Sequence, residues 1–275
     1  MIDISLIRDK TIGFSGGGMM AEAIAAGLIS SGIAPDNIIV FDIMGSRCIY
    51  LAQRYGVRIA ETNAEIVQFA DIIILAVKPN IVSTVLAEIG STIGSDQLVI
   101  SNIAGVKISS IEAMLSNPVP VVRVMPNTPA LIGMGASALS IGSNADSSHI
   151  NMALQIYGAI GKAIEISEDK LDAVTGLSGS GPAYVYMMIE AMADGGVRMG
   201  LPRATALTLA AQTVAGTAMM ALDSDEHPAV LKDRVTTPGG TTVEGLAALE
   251  RNGFRNAVIE AVTAAAKRSE ELGRK

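Results

Sequence analysis

The sequence predicts an α/β fold in which a doubly wound, mostly parallel sheet is followed by an all-helical domain. Short β-branched runs alternate with amphipathic segments over the first 167 residues, which is the order of a parallel sheet crossed by helices. A glycine-rich turn joins the first such run to the first amphipathic segment. After Ser167 the strand-like runs give way to long helical stretches. We therefore predict an α/β domain over residues 1–167 and a helical domain over residues 168–275.

Eight runs of the first domain have the length and the β-branched content of buried strands. They are Thr11–Phe14, Ile38–Asp42, Val57–Ile59, Asp71–Val77, Leu98–Ser101, Val119–Val124, Ala138–Ile141 and Ala163–Ile166. Helical periodicity between them is clearest over Ala21–Ser30 and Gly45–Tyr55, which both end near a glycine. Ser109 and Glu112 have the spacing of a capping box and predict the start of another short helix.

The second domain has long helical stretches. They run over Pro182–Met199, Arg203–Leu222 and Thr242–Asn252, and from Phe254 towards the C-terminus. Pro182, Pro202 and Pro228 stand where helices would begin, because proline is tolerated in a first turn. The stretch 204–222 carries no charge and touches the length of a membrane span. Its threonines, its one glutamine and its many alanines favour burial in protein instead, and its length favours burial between subunits.

Composition limits the classes of partner and compartment. The chain has 275 residues, 49% of them hydrophobic and 17% charged, which suits a packed globular core. Its net charge of −7 argues against nucleic acid or an anionic membrane surface as partner. Cys48 is the only cysteine, so no intrachain disulfide can form, and the N-terminus lacks the apolar core of a signal peptide. We expect a cytoplasmic protein.

The turn after the first predicted strand has the glycine pattern of a dinucleotide-binding loop. Gly16 would make the tight turn, Gly18 would let the backbone approach a pyrophosphate, and Ala21 would allow close packing of helix on strand. The free amides at the start of that helix would then hold the pyrophosphate. We therefore interpret the first domain as a Rossmann-type domain that binds NAD(P).

Two charged residues indicate opposite cofactor preferences. Asp42 ends the second predicted strand and could accept hydrogen bonds from the adenosine ribose, which favours NADH. Arg47 follows about one helical turn later and could pair with a 2′-phosphate, which favours NADPH. These residues leave both cofactors open.

Three further segments place polar groups at strand ends or helix starts. Lys78 follows the fourth predicted strand, at the edge where open α/β sheets bind ligands. Asn127 lies between two prolines in a loop after the sixth strand, which predicts a stiff loop. In the second domain, Ser178–Gly181 is a glycine–serine cluster that leads into a helix.

The turn before the helix at residue 242 is the richest in possible ligand-binding groups. Thr241 and Glu244 have capping-box spacing, so the helix is expected to start there. Gly239 and Gly240 are expected to leave their amides open between threonine hydroxyls, which suits a small carboxylate. A well-capped turn without any ligand is the alternative. The two histidines and the single cysteine have no metal-binding spacing, so no metal site is expected.

Seven segments, in their order and spacing, resemble those of pyrroline-5-carboxylate reductases: IGFSGGGMMAEAI, ILAVKP, NIAGV, RVMPNTPA, DAVTGLSGSGPAYVY, DGGVRMGLP and LKDRVTTPGGTTVEGLAALE. The resemblance covers nearly the whole chain. It implies an enzyme that reduces the cyclic imine 1-pyrroline-5-carboxylate to L-proline with NADPH or NADH, the last step of proline biosynthesis. It also implies that the helical domain is a dimerisation domain and that the protein is a homodimer or a larger oligomer built from dimers.

The resemblance also implies the site residues. The pyrophosphate would be held by Ser15, Gly16, Gly17, Gly18, Met19 and Met20. The nicotinamide half would lie against Ala76, Val77, Lys78, Pro79 and Ala104, and the adenosine ribose near Asn63. The substrate carboxylate would bind Thr237, Gly240, Thr241 and Thr242, with a contribution from Glu165, and Thr242 would stand near the imine nitrogen. Ser15 and Met19 depart from the family's more usual isoleucine and polar residue, and Asp42 is unexpected beside a 2′-phosphate.

Two other functions fit part of these observations. Hydroxy-acid dehydrogenases of the 3-hydroxy class also join a Rossmann-type domain to helices, but they use a lysine of the helical domain. No lysine lies between Lys170 and Lys232 in this chain. A non-catalytic nicotinamide sensor would bind the cofactor without turning over the imine, so an assay with pyrroline-5-carboxylate distinguishes it.

Overall fold

The computed structural model describes residues 3–273, and within them eight strands form one sheet. The strands are β1 Ile12–Ser15, β2 Ile38–Phe41, β3 Arg58–Ile59, β4 Ile72–Leu75, β5 Leu98–Ser101, β6 Val121–Met125, β7 Gly135–Ile141 and β8 Gly161–Glu165. Their spatial order is β3-β2-β1-β4-β5-β6-β7-β8, and every neighbouring pair is parallel except β6 and β7. The predicted doubly wound, mostly parallel sheet is therefore confirmed, with the strand order reversing beside β1.

Both faces of the sheet are buried, as a parallel sheet requires. Successive side chains of a strand point to opposite faces. Accordingly, Ile72 and Ile74 of β4 join one buried cluster with Phe14, while Ile73 and Leu75 join a second cluster on the other face. The helices that cover these faces are α1 Met19–Ser30, α2 Gly45–Tyr55, α3 Asn63–Phe69, α4 Val82–Ile89, α5 Ile108–Glu112 and α6 Ser147–Gly158.

The start of α5 corrects one sequence prediction. The capping box predicted for Ser109 and Glu112 is wrong, because the helix already begins at Ile108 and has no side-chain cap at Lys107. The amide of Ile108 donates instead to Glu168 Oε1 at 2.8 Å, and Glu112 accepts from Ser143. A carboxylate sixty residues away in sequence thus takes the capping role.

The second half of the chain is helical, as predicted. The helices are α7 Leu171–Val174, α8 Gly181–Arg198, α9 Arg203–Asp223, α10 Pro228–Arg234, α11 Thr241–Arg251 and α12 Phe254–Leu272, and a π-helical turn at Thr175–Gly179 follows α7. Pro182 and Pro228 stand in first turns, and Pro202 immediately precedes α9.

Contacts divide the chain into two compact units. One extends to Gly179 and resumes at Ala264, and the other is Ser180–Thr263. The first unit therefore extends past the predicted boundary at residue 167. The extension is held to the sheet by an ion pair from Arg123 to Glu168 at 2.9 Å, and the end of α12 is held by Ser269, which donates to Asp172 at 2.5 Å.

Candidate functional site

The turn between β1 and α1 requires glycine at its first position. Gly16 has a φ of +103°, a conformation that L-residues rarely adopt. A Cβ at Gly16 would also lie 2.6 Å from the carbonyl oxygen of Ala76, so the turn has no room for a side chain there. Gly18 differs, because its φ is −69° and a Cβ would meet no atom within 4 Å. Open space therefore lies in front of Gly18.

Backbone amides of this turn fall into two groups. Those of Gly16 and Gly17 are used within the protein, donating to the carbonyl of Phe41 at 2.8 Å and to Asp42 Oδ2 at 2.7 Å. The amides of residues 18–20 have no acceptor within residues 3–273, and the first α1 hydrogen bond runs from the amide of Glu22 to the carbonyl of Gly18. These three amides stand at the positive end of α1, where an anion is favoured.

The Ser15 side chain is committed to a buried network. Its hydroxyl donates to Asn63 Oδ1 at 2.8 Å, and Asn63 Nδ2 donates to Glu88 Oε2 at 2.9 Å. Ser15 and Asn63 are both buried. The Asn63 side-chain amide is therefore fixed directly beneath the glycine turn.

A cavity of about 400 Å³ opens at the carboxyl ends of β1, β2 and β4. Eight of the predicted cofactor residues line it: Ser15, Gly16, Gly18, Asp42, Asn63, Ala76, Val77 and Lys78. Its lining also includes Phe41, Ile43, Met44, Asn80, Ile81 and Val85, which the sequence analysis did not select. Most of these lie within a few residues of the ends of β2 and β4, and that position was the available signal. Gly17, Met19, Met20, Arg47, Pro79 and Ala104 are not part of this lining.

Asp42 and Arg47 are both anchored to the glycine turn. Asp42 accepts from the amide of Gly17 and, at 2.8 Å, from the amide of Met44. Arg47 donates from Nε to the Gly17 carbonyl at 2.8 Å and from Nη2 to Glu22 Oε2 at 2.9 Å. The turn is thus held from both sides by the residues that were expected to contact the adenosine ribose.

A polar pair lies at the end of β5. The amide of Asn102 donates to the carbonyl of Leu75 at 3.0 Å, which places Asn102 beside the end of β4. Its Oδ1 accepts from the hydroxyl of Tyr157, a fully buried residue whose pKa is raised by burial. Its Nδ2 is buried and has no partner within residues 3–273. A buried donor without an acceptor is costly, which makes Asn102 a candidate ligand-binding residue. Ala104 is exposed two residues further on.

Two motifs of the sequence analysis meet in the first unit. Asn127 Nδ2 donates to the carbonyl of Ser178 at 3.0 Å, and its Oδ1 accepts from the amide of Ala136 at 2.8 Å. This asparagine therefore fastens the proline-flanked loop to the glycine–serine cluster. Glu165 ends β8 with an exposed side chain.

The turn before α11 corrects two predictions. The Gly240 amide was expected to be open, but it donates to the carbonyl of Thr237 at 3.0 Å. The capping box of Thr241 and Glu244 is also wrong, because Gly240 is the cap residue, no side chain caps the helix, and Thr241 is its first residue. A closed turn places the chain at the helix start and leaves the threonine side chain no capping role.

The corrected turn still presents unused donors. The amides of Gly239, Thr241 and Thr242 have no acceptor within residues 3–273. A Cβ on Gly240 would lie 2.3 Å from Thr237 Oγ1, so only glycine fits between these groups. Thr237 and Thr241 are exposed, and Thr242 is half-buried. The arrangement suits a small anion at the N-terminus of α11.

Two classes of feature were searched in the described residues. No group of three or more histidine, cysteine, aspartate or glutamate side chains there could hold a metal ion. Within residues 3–273, α9 is the one helix long and apolar enough to cross a membrane, and 11% of its apolar stretch is buried in the single chain.

Comparison with known proteins gives full-length matches. The family model described as pyrroline-5-carboxylate reductase dimerisation matches residues 168–272, and one described as NADP oxidoreductase, coenzyme F420-dependent, matches residues 11–105. The pyrroline-5-carboxylate reductase of Synechocystis is 48% identical over 96% of this chain and 98% of its own. A pyrroline-5-carboxylate reductase structure from Coxiella burnetii has a TM-score of 0.91 and 37% identity, covering 96% of this chain and 98% of that one. The Plasmodium falciparum pyrroline carboxylate reductase, solved with NADP bound, has a TM-score of 0.85 and 35% identity, covering 97% and 99%.

Proposed function

This chain belongs to the pyrroline-5-carboxylate reductase family, and from that membership we propose which of its residues hold the two ligands of the reaction. The reaction is the reduction of 1-pyrroline-5-carboxylate to L-proline by hydride transfer from NADPH or NADH, the last step of proline biosynthesis. The observation that carries the placement is the set of amides at residues 18–20, which have no acceptor within residues 3–273.

The cofactor's pyrophosphate binds these amides at the start of α1. Gly18 has no side chain in the open space before it, so phosphate oxygens can approach the backbone closely. Gly16 and Gly17 support the turn instead, since their amides are already used. Asp42 then lies beside the adenosine ribose, with Asn63 beneath it. The bound dinucleotide supplies the hydride of the reaction.

The nicotinamide half lies along Ala76–Pro79, with Ala104 on the neighbouring loop. The unpartnered Nδ2 of Asn102 supports this placement, because the residue stands at the end of β5 beside Leu75. A carboxamide oxygen is the kind of acceptor that would satisfy it. Tyr157 keeps the Asn102 side chain in one orientation and is therefore a positioning residue.

The substrate carboxylate binds at the N-terminus of α11. The amides of Thr241 and Thr242 point out of the first turn of an eleven-residue helix, where negative charge is stabilised. The hydroxyls of Thr237 and Thr242 add donors on either side, and Gly240 keeps the turn free of side chains. Glu165 is a further contributor to substrate binding. A cyclic imino acid presents one carboxylate and one ring nitrogen, which matches this small set of donors.

The chemistry requires few protein groups. A protonated imine carbon already attracts hydride, so the enzyme gains most by orienting two ligands and excluding water. Reduction breaks the C=N π bond, and the new C–H bond takes its electron pair from the dinucleotide. The ring nitrogen keeps the proton it carried, which comes from solution or through the hydroxyl of Thr242.

The protein forms oligomers, and α9 is our proposed contact between subunits. Leu209 and Met220 of this helix are 54% and 65% exposed in the single chain, too much apolar surface for a face in water. The hydroxyls of Thr208, Thr213 and Thr217 donate to carbonyls one turn earlier in α9, so the helix can enter an apolar interface. We propose a homodimer as the building block, in the cytoplasm, without nucleic acid or membrane as partner.

One assay tests the activity. The purified protein is mixed with pyrroline-5-carboxylate and either NADH or NADPH, and cofactor oxidation and proline formation are both measured. Stoichiometric proline is the expected product. Binding of dinucleotide without oxidation by the imine would identify a nicotinamide sensor and end the assignment.

A further inference from the structure

Arg47 is held by two acceptors beside the cofactor turn. Its Nε donates to the Gly17 carbonyl at 2.8 Å and its Nη2 to Glu22 Oε2 at 2.9 Å. Its Nη1 has no acceptor within residues 3–273. The guanidinium also stacks on the ring of Tyr50, with 4.8 Å between its central carbon and the ring centroid. Arg47 is therefore fixed in place, with one nitrogen left for a ligand.

Glu22 remains ionised at neutral pH. Its Oε1 accepts from the hydroxyls of Tyr50 at 2.9 Å and Tyr55 at 3.1 Å, and its Oε2 from Arg47. Burial opposes ionisation, but these hydrogen bonds outweigh it and hold the pKa of Glu22 below its ordinary value. The charge of Arg47 is thus compensated by a carboxylate that is only 15% exposed.

Three charged groups gather where the adenosine ribose is placed. Gly17 joins them, since its amide donates to Asp42 and its carbonyl accepts from Arg47, which pairs with Glu22. Two carboxylates and one guanidinium leave this corner with one net negative charge. A 2′-phosphate brings roughly 1.5–2 further negative charges at neutral pH.

We propose that Glu22 determines cofactor specificity by neutralising Arg47, and so weakens the binding of dinucleotides that carry a 2′-phosphate. Arg47 by itself would attract that phosphate through its free Nη1 and its charge. Glu22 acts through Arg47 and contacts no part of the ligand, so it is a positioning and charge-setting residue. The inference rests on the proposed site of the dinucleotide.

The test is Glu22→Gln, which keeps the shape of the side chain and its hydrogen bonds but removes the charge. Isothermal titration of NADP⁺ and NAD⁺, which differ only in the 2′-phosphate, gives Kd without turnover. We expect the ratio of Kd for NADP⁺ to Kd for NAD⁺ to fall roughly tenfold, the size of one unit charge acting on a dianion at a partly solvated site. The gain should shrink in 0.5 M salt, because partly exposed charges are screened.

Two controls separate the mechanism from general effects. Glu260→Gln removes the same charge from an exposed residue in the other unit and should leave the ratio unchanged. Arg47→Ala combined with Glu22→Gln should abolish the gain, because nothing remains for the lost carboxylate to release. A ratio unchanged in Glu22→Gln at low salt, or a gain that persists without Arg47, would overturn the role of Glu22. Failure of wild-type protein to bind either dinucleotide would instead remove the proposed site, and the inference with it.

Discussion

Replacing Gly16 and Gly18 by alanine should give two different defects from one added methyl group. At Gly16 the methyl meets the carbonyl of Ala76 at 2.6 Å, in a backbone conformation of φ +103°. Positive φ costs an L-residue about 1–2 kcal/mol, and forcing an atom into a packed site costs about 1–3 kcal/mol. Gly16→Ala should therefore lower the free energy of unfolding by roughly 2–5 kcal/mol.

At Gly18 the methyl meets nothing within 4 Å and φ is −69°, so the fold should tolerate it. The open space that it fills is where we place the pyrophosphate. Losing one hydrogen bond to a charged phosphate costs about 1.5–3 kcal/mol, which raises Kd for the dinucleotide roughly tenfold to a hundredfold. Gly18→Ala should thus keep its stability and lose its cofactor.

Thermal unfolding and dinucleotide titration of both variants measure the two effects separately. Tm should fall by about 2–4 °C for each kcal/mol lost in Gly16→Ala and stay close to wild type in Gly18→Ala. Wild-type dinucleotide affinity in Gly18→Ala would refute the pyrophosphate site. Equal Tm values for the two variants would refute the steric argument for Gly16.

Three more predictions concern the substrate, the assembly and the cofactor. Thr242→Val should lower kcat/KM for the imine roughly tenfold to a hundredfold at unchanged cofactor affinity, whereas Thr236→Val, whose hydroxyl donates to the carbonyl of Lys232, should not. Equal kinetics of the two variants would remove Thr242 from the site. Ala215→Glu places a charge on exposed α9 and should yield monomers in sedimentation together with lost activity; a wild-type chain that sediments as a monomer contradicts this interface. Asp42→Ser should shift use towards NADPH and Arg47→Ala towards NADH, and unchanged kcat/KM ratios would place discrimination elsewhere.

The fold followed from local signals because its strands are nearly uniform in character. The Ile72–Leu75 run is apolar at every position, as only a strand buried on both faces would be, and its length excluded a helix. Helix starts were harder. The α5 helix begins where Glu168 receives the amide of Ile108, and no periodicity near residue 108 indicates that a distant carboxylate will be there.

The candidate site was predictable in position and less so in its hydrogen bonds. Glycines and strand ends located the turn after β1, because the backbone conformation there demands glycine. Which amides stay free depends on acceptors brought by other elements. Asp42 takes the amide of Gly17, and the Thr237 carbonyl takes that of Gly240. Asn102 was passed over because its unpartnered Nδ2 is evident only once Tyr157 packs against its Oδ1.

The chemistry explains why the strongest signals lie in turns instead of in an acid–base pair. Hydride transfer to an already protonated imine needs a fixed approach of two ligands more than it needs a proton relay. Fixed approach is supplied by backbone amides at helix starts, which do not titrate and which a side-chain substitution cannot delete. The backbone at the starts of α1 and α11 should therefore tolerate little added bulk, as the 2.3 Å approach of a Gly240 Cβ to Thr237 Oγ1 indicates. Loss of a single hydroxyl nearby should reduce turnover without abolishing it, because the amides that orient the ligands remain.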